Sequence, residues 1–196
     1  MEYIKKLGEK ARKLIRRYNE KDFRVSREEF PYGKAVALLT AFAFLLRMFI
    51  AGNYISSFDT EWNIMWAVQL GDGFFNAHSH VYELDYPPLY FYPLWIVGRL
   101  IDKPWIGNYA PFRMMAIKFF PCLSDSLTIA AIWRLAGKRN KPLGLLAAGI
   151  WALNPACIVN CACWGQTDCV LMLLAALLMR GLGEKPGVAG GASLGG

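Results

Sequence analysis

FDTEW, at residues 58–62, sets Asp59 and Glu61 two positions apart between aromatic rings. A carboxylate so placed can act as a general base and take a proton from an attacking hydroxyl. ELDYPP adds Glu83 and Asp85, followed by Tyr86, Tyr90 and Tyr92, whose flat faces can stack on a ring. NPACIVNCACWGQTD supplies Asn154, Asn160, Trp164, Gln166 and Asp168. Asp125, in CLSDSLTIA, stands inside an apolar block, with Lys118 seven residues earlier on the same helical face. Ionisable residues at such depth face a bundle interior or a water-filled cavity. Each feature also has a plainer use. Asp59 suits the N-cap of a helix. The tyrosines suit an aromatic belt at a membrane surface. Lys118 and Asp125 suit an internal ion pair.

The elements that position these groups are apolar. Hydrophobic residues make up 55% of the 196 residues, above the roughly 45–50% of soluble domains. They come in blocks: Ala35–Ile55, Pro87–Ile101, Met114–Leu135, Leu143–Trp164 and Val170–Met179. A membrane helix needs about 20 predominantly apolar residues. The first, third and fourth blocks are long enough; the second and fifth are marginal. The expected fold is an all-α membrane protein, a helical bundle whose first extracytoplasmic loop carries an amphipathic helix. In that loop Asp59 would cap EWNIMWAVQL, with Trp62, Met65, Trp66 and Leu70 on one face and Gly71 closing the helix. Pro87 and Pro88 are pre-set for a first helical turn and lack the N–H donors that a helix start leaves unpaired. Asp85 before them favours the positive end of that helix.

Eleven of the 22 basic residues precede the first long apolar block, so the net charge of +7 belongs mostly to residues 1–34. Ile4, Leu7, Ala11, Leu14, Ile15 and Tyr18 fall at helical spacing among them, as in a basic helix lying on an anionic membrane face. Ser26 and Glu29 have capping-box spacing. By the positive-inside rule this arm is cytoplasmic. A nucleic-acid partner is not expected, because such proteins carry basic residues across a folded surface. The same rule asks for Lys138, Arg139 and Lys141 inside; they lie there if Pro87–Ile101 dips into the membrane, and would lie outside if it crosses. The dipping arrangement is the expected one, and it brings WGQTD to the same side as Asp59 and Asp85. Five cysteines lie in or beside apolar blocks, where the thiol behaves as a small hydrophobe; four of them are close enough in sequence for structural zinc to be weighed. His78 and His80 read as solvated loop residues. GVAGGASLGG, at residues 187–196, reads as the opening of a further membrane helix, so the chain is expected to be incomplete.

FDTEW, then LDYPPL, then the CLSDSLT span, then LNPACIVNCACWGQTD resemble, in that order, polytopic GT-C glycosyltransferases. The likeness is to dolichyl-phosphate-glucose-dependent glucosyltransferases and, above all, to prokaryotic GPI-mannosyltransferase-like proteins, and covers residues 35–180. The resemblance implies transfer of a mannose or glucose from a polyprenyl-phosphate sugar donor to a glycan or lipid-linked acceptor on the extracytoplasmic face. It implies an integral multi-pass protein of a prokaryotic plasma membrane. Asp59 matches the family's general base, with Glu61 completing an Asp-x-Glu pair that would touch any divalent cation. Asp85, Tyr86, Asp125, Trp164, Gln166 and Asp168 would shape the sugar pocket, and Arg47, Arg113 and Lys118 would meet the donor phosphate. The competing expectation is a non-catalytic polytopic protein, a transporter part or an assembly subunit, with Asp85, Asp125 and Asp168 along a conduction path.

Overall fold

The computed structural model describes residues 30–54, 58–76, 86–138 and 140–183. Among the described residues every regular element is helical, without a strand. In order, they form α1 (Tyr32–Asn53), α2 (Phe58–Gly73) with a short 3-10 turn at Phe74–Asn76, α3 (Pro88–Ile101), α4 (Pro104–Gly107), α5 (Ala110–Ala136), α6 (Lys141–Ala152), α7 (Pro155–Ile158) running into a π-helical stretch at Val159–Trp164, and α8 (Asp168–Gly183). The chain divides into two units between Ala35 and Val36, and the helical bundle belongs to the second. The expected basic helix, the Ser26–Glu29 box, His78, His80, Glu83, Asp85 and the last ten residues lie outside the described set.

Among the described residues two helices are long and apolar enough to cross a membrane: α1, with 22 residues, and α5, with 27. At 1.5 Å per residue they reach about 33 and 40 Å, beyond the ~30 Å hydrocarbon core. The uncharged Leu143–Trp164 block, expected as one span, is instead broken. α6 and the Pro155–Trp164 segment are bent by 50° to each other. The cause is Asn154-Pro155. A residue before proline is pushed out of the α region, and Asn154 sits at φ −66°, ψ 115°, its Oδ1 accepting the Ala156 N–H at 2.9 Å. The bent pair makes a third crossing only if both arms count as one span.

α3, at 14 residues, reaches only about 21 Å. The chain also leaves α1 and re-enters at α5 at one end of the bundle. A β-carbon placed on Gly52 would stand 3.1 Å from Met115 Cγ and 3.6 Å from the Pro111 carbonyl oxygen. The end of α1 and the start of α5 therefore meet at one rim. At the opposite rim α5 turns tightly into α6, where a β-carbon on Gly144 would meet the Gly137 nitrogen at 2.6 Å. Ala43, Ile129, Ala148 and Ala152 form one buried cluster joining α1, α5 and α6.

α2 packs against α3 rather than standing alone. Its buried residues are Thr60, Asn63, Trp66, Ala67 and Leu70. Trp66 and Leu70 belong to the face expected to be apolar; Trp62 and Met65 are only half-buried. The helices touch backbone to backbone, since a β-carbon on Gly98 would lie 1.8 Å from the Ala67 carbonyl oxygen. Trp66, Ala67, Leu70, Tyr90, Phe91, Leu94 and Val97 fill the seam, and Ile117 of α5 closes it.

Candidate functional site

The site begins in the first turn of α2. Helix starts at Phe58, so Asp59 and Glu61 are first-turn residues. Asp59 is not the N-cap that its sequence position predicts. A first-turn carboxylate still gains from the positive helix end. Asp59 is half-buried and Glu61 exposed.

The WGQ turn is seated on this end of α2. Gln166 Nε2 donates to Asp59 Oδ2 at 2.6 Å. The Thr60 hydroxyl donates to the Trp164 carbonyl at 3.1 Å, and Asn63 Nδ2 donates to the Gly165 carbonyl at 3.5 Å. Thr60 and Asn63, three apart, lie on one helix face, and Asp59 adjoins them. The turn holds its shape because Gly165 adopts φ +71°, a left-handed conformation that costs any other L-residue about 1–2 kcal/mol. The Gly165 and Gln166 N–H groups both donate to the Asn160 carbonyl.

Lys118 lies beneath the turn, fully buried. A β-carbon on Gly165 would approach Lys118 Cγ at 3.2 Å. Its Nζ donates to the Tyr54 carbonyl at 2.8 Å and stands 5.6 Å from the centroid of the Tyr54 ring. A buried ammonium needs partners, and this one has a carbonyl and an aromatic face. Among the described residues it makes no ion pair. The expected Lys118–Asp125 pair is absent.

Asp125 pairs instead with Arg47, deeper in the bundle. Arg47 Nε and Nη2 both lie 2.7 Å from Asp125 Oδ2, and Trp151 Nε1 donates to Oδ1 at 3.1 Å. Arg47 Nη1 also donates to the Ala43 and Ala152 carbonyls. Arg47 therefore neither snorkels to the surface nor stands ready for a phosphate, because its guanidinium is buried and committed to α5 and α6. Asp125 also lines a cavity of about 380 Å³ between α5, α7 and α8, shared with Trp151, Asn160, Trp164 and Asp168. Asp168 opens α8 and is exposed.

Two other expected contributors, Tyr86 and Arg113, make local contacts of their own. Tyr86 packs edge-on against Trp66 at 5.1 Å and Tyr90 at 5.3 Å, so its ring stiffens the start of α3. Arg113 is half-buried in the first turn of α5, with Nη1 3.5 Å from the Gly107 carbonyl and Nε without a partner among the described residues. The cysteines are free; Cys122, Cys161 and Cys169 are buried with Met48, Ala51 and Ala162 in one apolar cluster. Among the described residues no group of three or more His, Cys, Asp or Glu is placed to hold a metal ion.

Four contributors were not singled out from the sequence: Tyr54, Thr60, Asn63 and Gly165. Only Gly165 carried a signal, a glycine inside a polar motif where a positive φ is the usual reason for glycine. The others act through position alone. No protein-family model, curated protein sequence or solved structure matches this chain.

Proposed function

We propose that this chain is a membrane glycosyltransferase of the GT-C kind, moving a hexose from a polyprenyl-phosphate donor to an acceptor hydroxyl. The observation that carries the reading is the 2.6 Å bond from Gln166 to Asp59. It joins two motifs 107 residues apart into one carboxylate–amide pair at the rim of an apolar bundle. Asp59 takes the acceptor proton through Oδ1, the oxygen that Gln166 leaves open. The acceptor oxygen then bonds to C1 of the hexose, and the C1–O bond to the phosphate breaks. The polyprenyl phosphate leaves with the electron pair. Gln166 fixes the carboxylate so that its free lone pairs face the hydroxyl rather than rotate.

Trp164 is half exposed beside this pair and offers a flat apolar face to a pyranose. Lys118 and Arg113, on the N-terminal half of α5, supply positive potential for the departing phosphate. Among the described residues no third acidic group joins Asp59 and Glu61, so a divalent cation would be shared with substrate oxygens. Lys138 and Lys141 lie at the opposite rim from Asp59, and the positive-inside rule then favours an extracytoplasmic Asp59 rim.

The test is transfer of radiolabelled hexose from polyprenyl-phosphate donors by the protein reconstituted in liposomes, with and without EDTA. A second reading, a non-catalytic transport element, draws on the cavity shared by Asp125 and Asp168. Solute flux in the same liposomes without any transfer would favour it.

A further inference from the structure

A second cavity, of about 580 Å³, opens where α2 ends against α3. Phe74, Phe75, Tyr92 and Trp95 wall it, and Asp72 and Arg99 contribute opposite charges. The rings form a cluster around Phe74, with centroids 4.9 Å from Tyr92, 5.8 Å from Trp95 and 5.6 Å from Phe75. Among the described residues Asp72 and Arg99 make no ion pair, with each other or with anything else. Gly71 and Gly73 line it with backbone alone. Nothing in the proposed transfer uses this cavity.

We propose that it binds the headgroup of a zwitterionic phospholipid of the phosphatidylethanolamine kind. Charge complementarity and surroundings both favour this occupant. A phosphate meets the Arg99 guanidinium, which is shaped for it. The ammonium meets the Asp72 carboxylate and the faces of Tyr92 and Trp95, which attract cations. A neutral saccharide would stack on the same rings but would bring no counter-charge to Asp72 or Arg99, both exposed at the cavity. Phe75 is 98% exposed, beside the exposed Tyr92 and Trp95, in a chain whose described residues include two helices long and apolar enough to cross a membrane. Exposed aromatic rings of this kind settle at headgroup depth.

Native mass spectrometry of the detergent-solubilised protein tests this with phosphatidylethanolamine and phosphatidylglycerol of identical chains. Removing a charge-assisted contact is worth roughly tenfold in binding. The wild type should therefore retain phosphatidylethanolamine about tenfold over phosphatidylglycerol. Asp72→Asn should abolish that preference, whereas Asp72→Glu and Arg99→Lys should keep it. Arg99→Gln should lower retention of both lipids. Equal retention of the two lipids by the wild type would overturn the proposal without recourse to any variant. An unchanged preference in Asp72→Asn would do the same, as would loss of the lipid on adding a soluble disaccharide such as maltose.

Discussion

A carboxylate that swings freely makes a poor base, and Gln166 is what stops Asp59 from swinging. Gln166→Leu should therefore lower kcat by roughly tenfold or more through lost orientation, with little change in thermal stability, since both residues are only half-buried. Steady-state kinetics beside a melting curve would show the split. Arg47 and Asp125 predict the reverse. Their ion pair is buried, so Arg47→Met leaves an unpaired charge and should cost about 3–5 kcal/mol. Arg47→Met with Asp125→Leu removes both charges and should restore most of that stability. Tyr90 gives a pH prediction. Burial pushes its phenol above the ordinary range, and Tyr86, Cys169 and Cys122 push the same way. The folded state thus holds this proton more tightly than the unfolded one. Stability is unaffected below about pH 10, the ordinary phenol pKa, and falls as pH rises beyond it. Tyr90→Phe should remove that part of the alkaline loss in urea titrations between about pH 9 and pH 11.

Elements decide where such residues meet, and here two glycines carry the geometry. Gly98→Ala gains helix propensity but sets a β-carbon 1.8 Å from the Ala67 carbonyl oxygen. The clash outweighs the gain, and α2 and α3 should separate, at a cost of about 1–3 kcal/mol. Gly165→Ala should cost about 1–2 kcal/mol for the left-handed backbone and should lower transfer, because the turn presents Gln166. The apolar blocks were legible in the sequence because length and composition alone identify α1 and α5. Pro87-Pro88 read correctly as a helix start for a similar reason, since proline fixes its own backbone. The break at Asn154-Pro155 carried the same local signal, yet the uncharged run around it read as one span. The start of α2 was misplaced by two residues because nothing local distinguishes Asp59 at the cap from Asp59 in the first turn. Partner choice was least legible. Lys118 and Asp125 share a face of α5, but Arg47 comes from α1, and only packing brings it there.

Across the whole molecule, the two rims differ. Tyr54, Asp59, Gly165 and the start of α5 gather at one, and the α5–α6 turn with Lys138 and Lys141 lies at the other. Single cysteines introduced at positions 105 and 140, in a background lacking the native ones, should therefore label from opposite faces of the membrane with an impermeant maleimide. Most of α5, about 40 Å long, separates them. Labelling of both from one face would mean that α5 does not cross. The decisive experiment is hexose transfer from a radiolabelled polyprenyl-phosphate donor by wild-type and Asp59→Asn protein in liposomes. Transfer by the wild type is expected, with a loss of about 10²–10⁴-fold in the variant at unchanged fold, the usual contribution of a general base. Equal transfer by both proteins would contradict a base at Asp59.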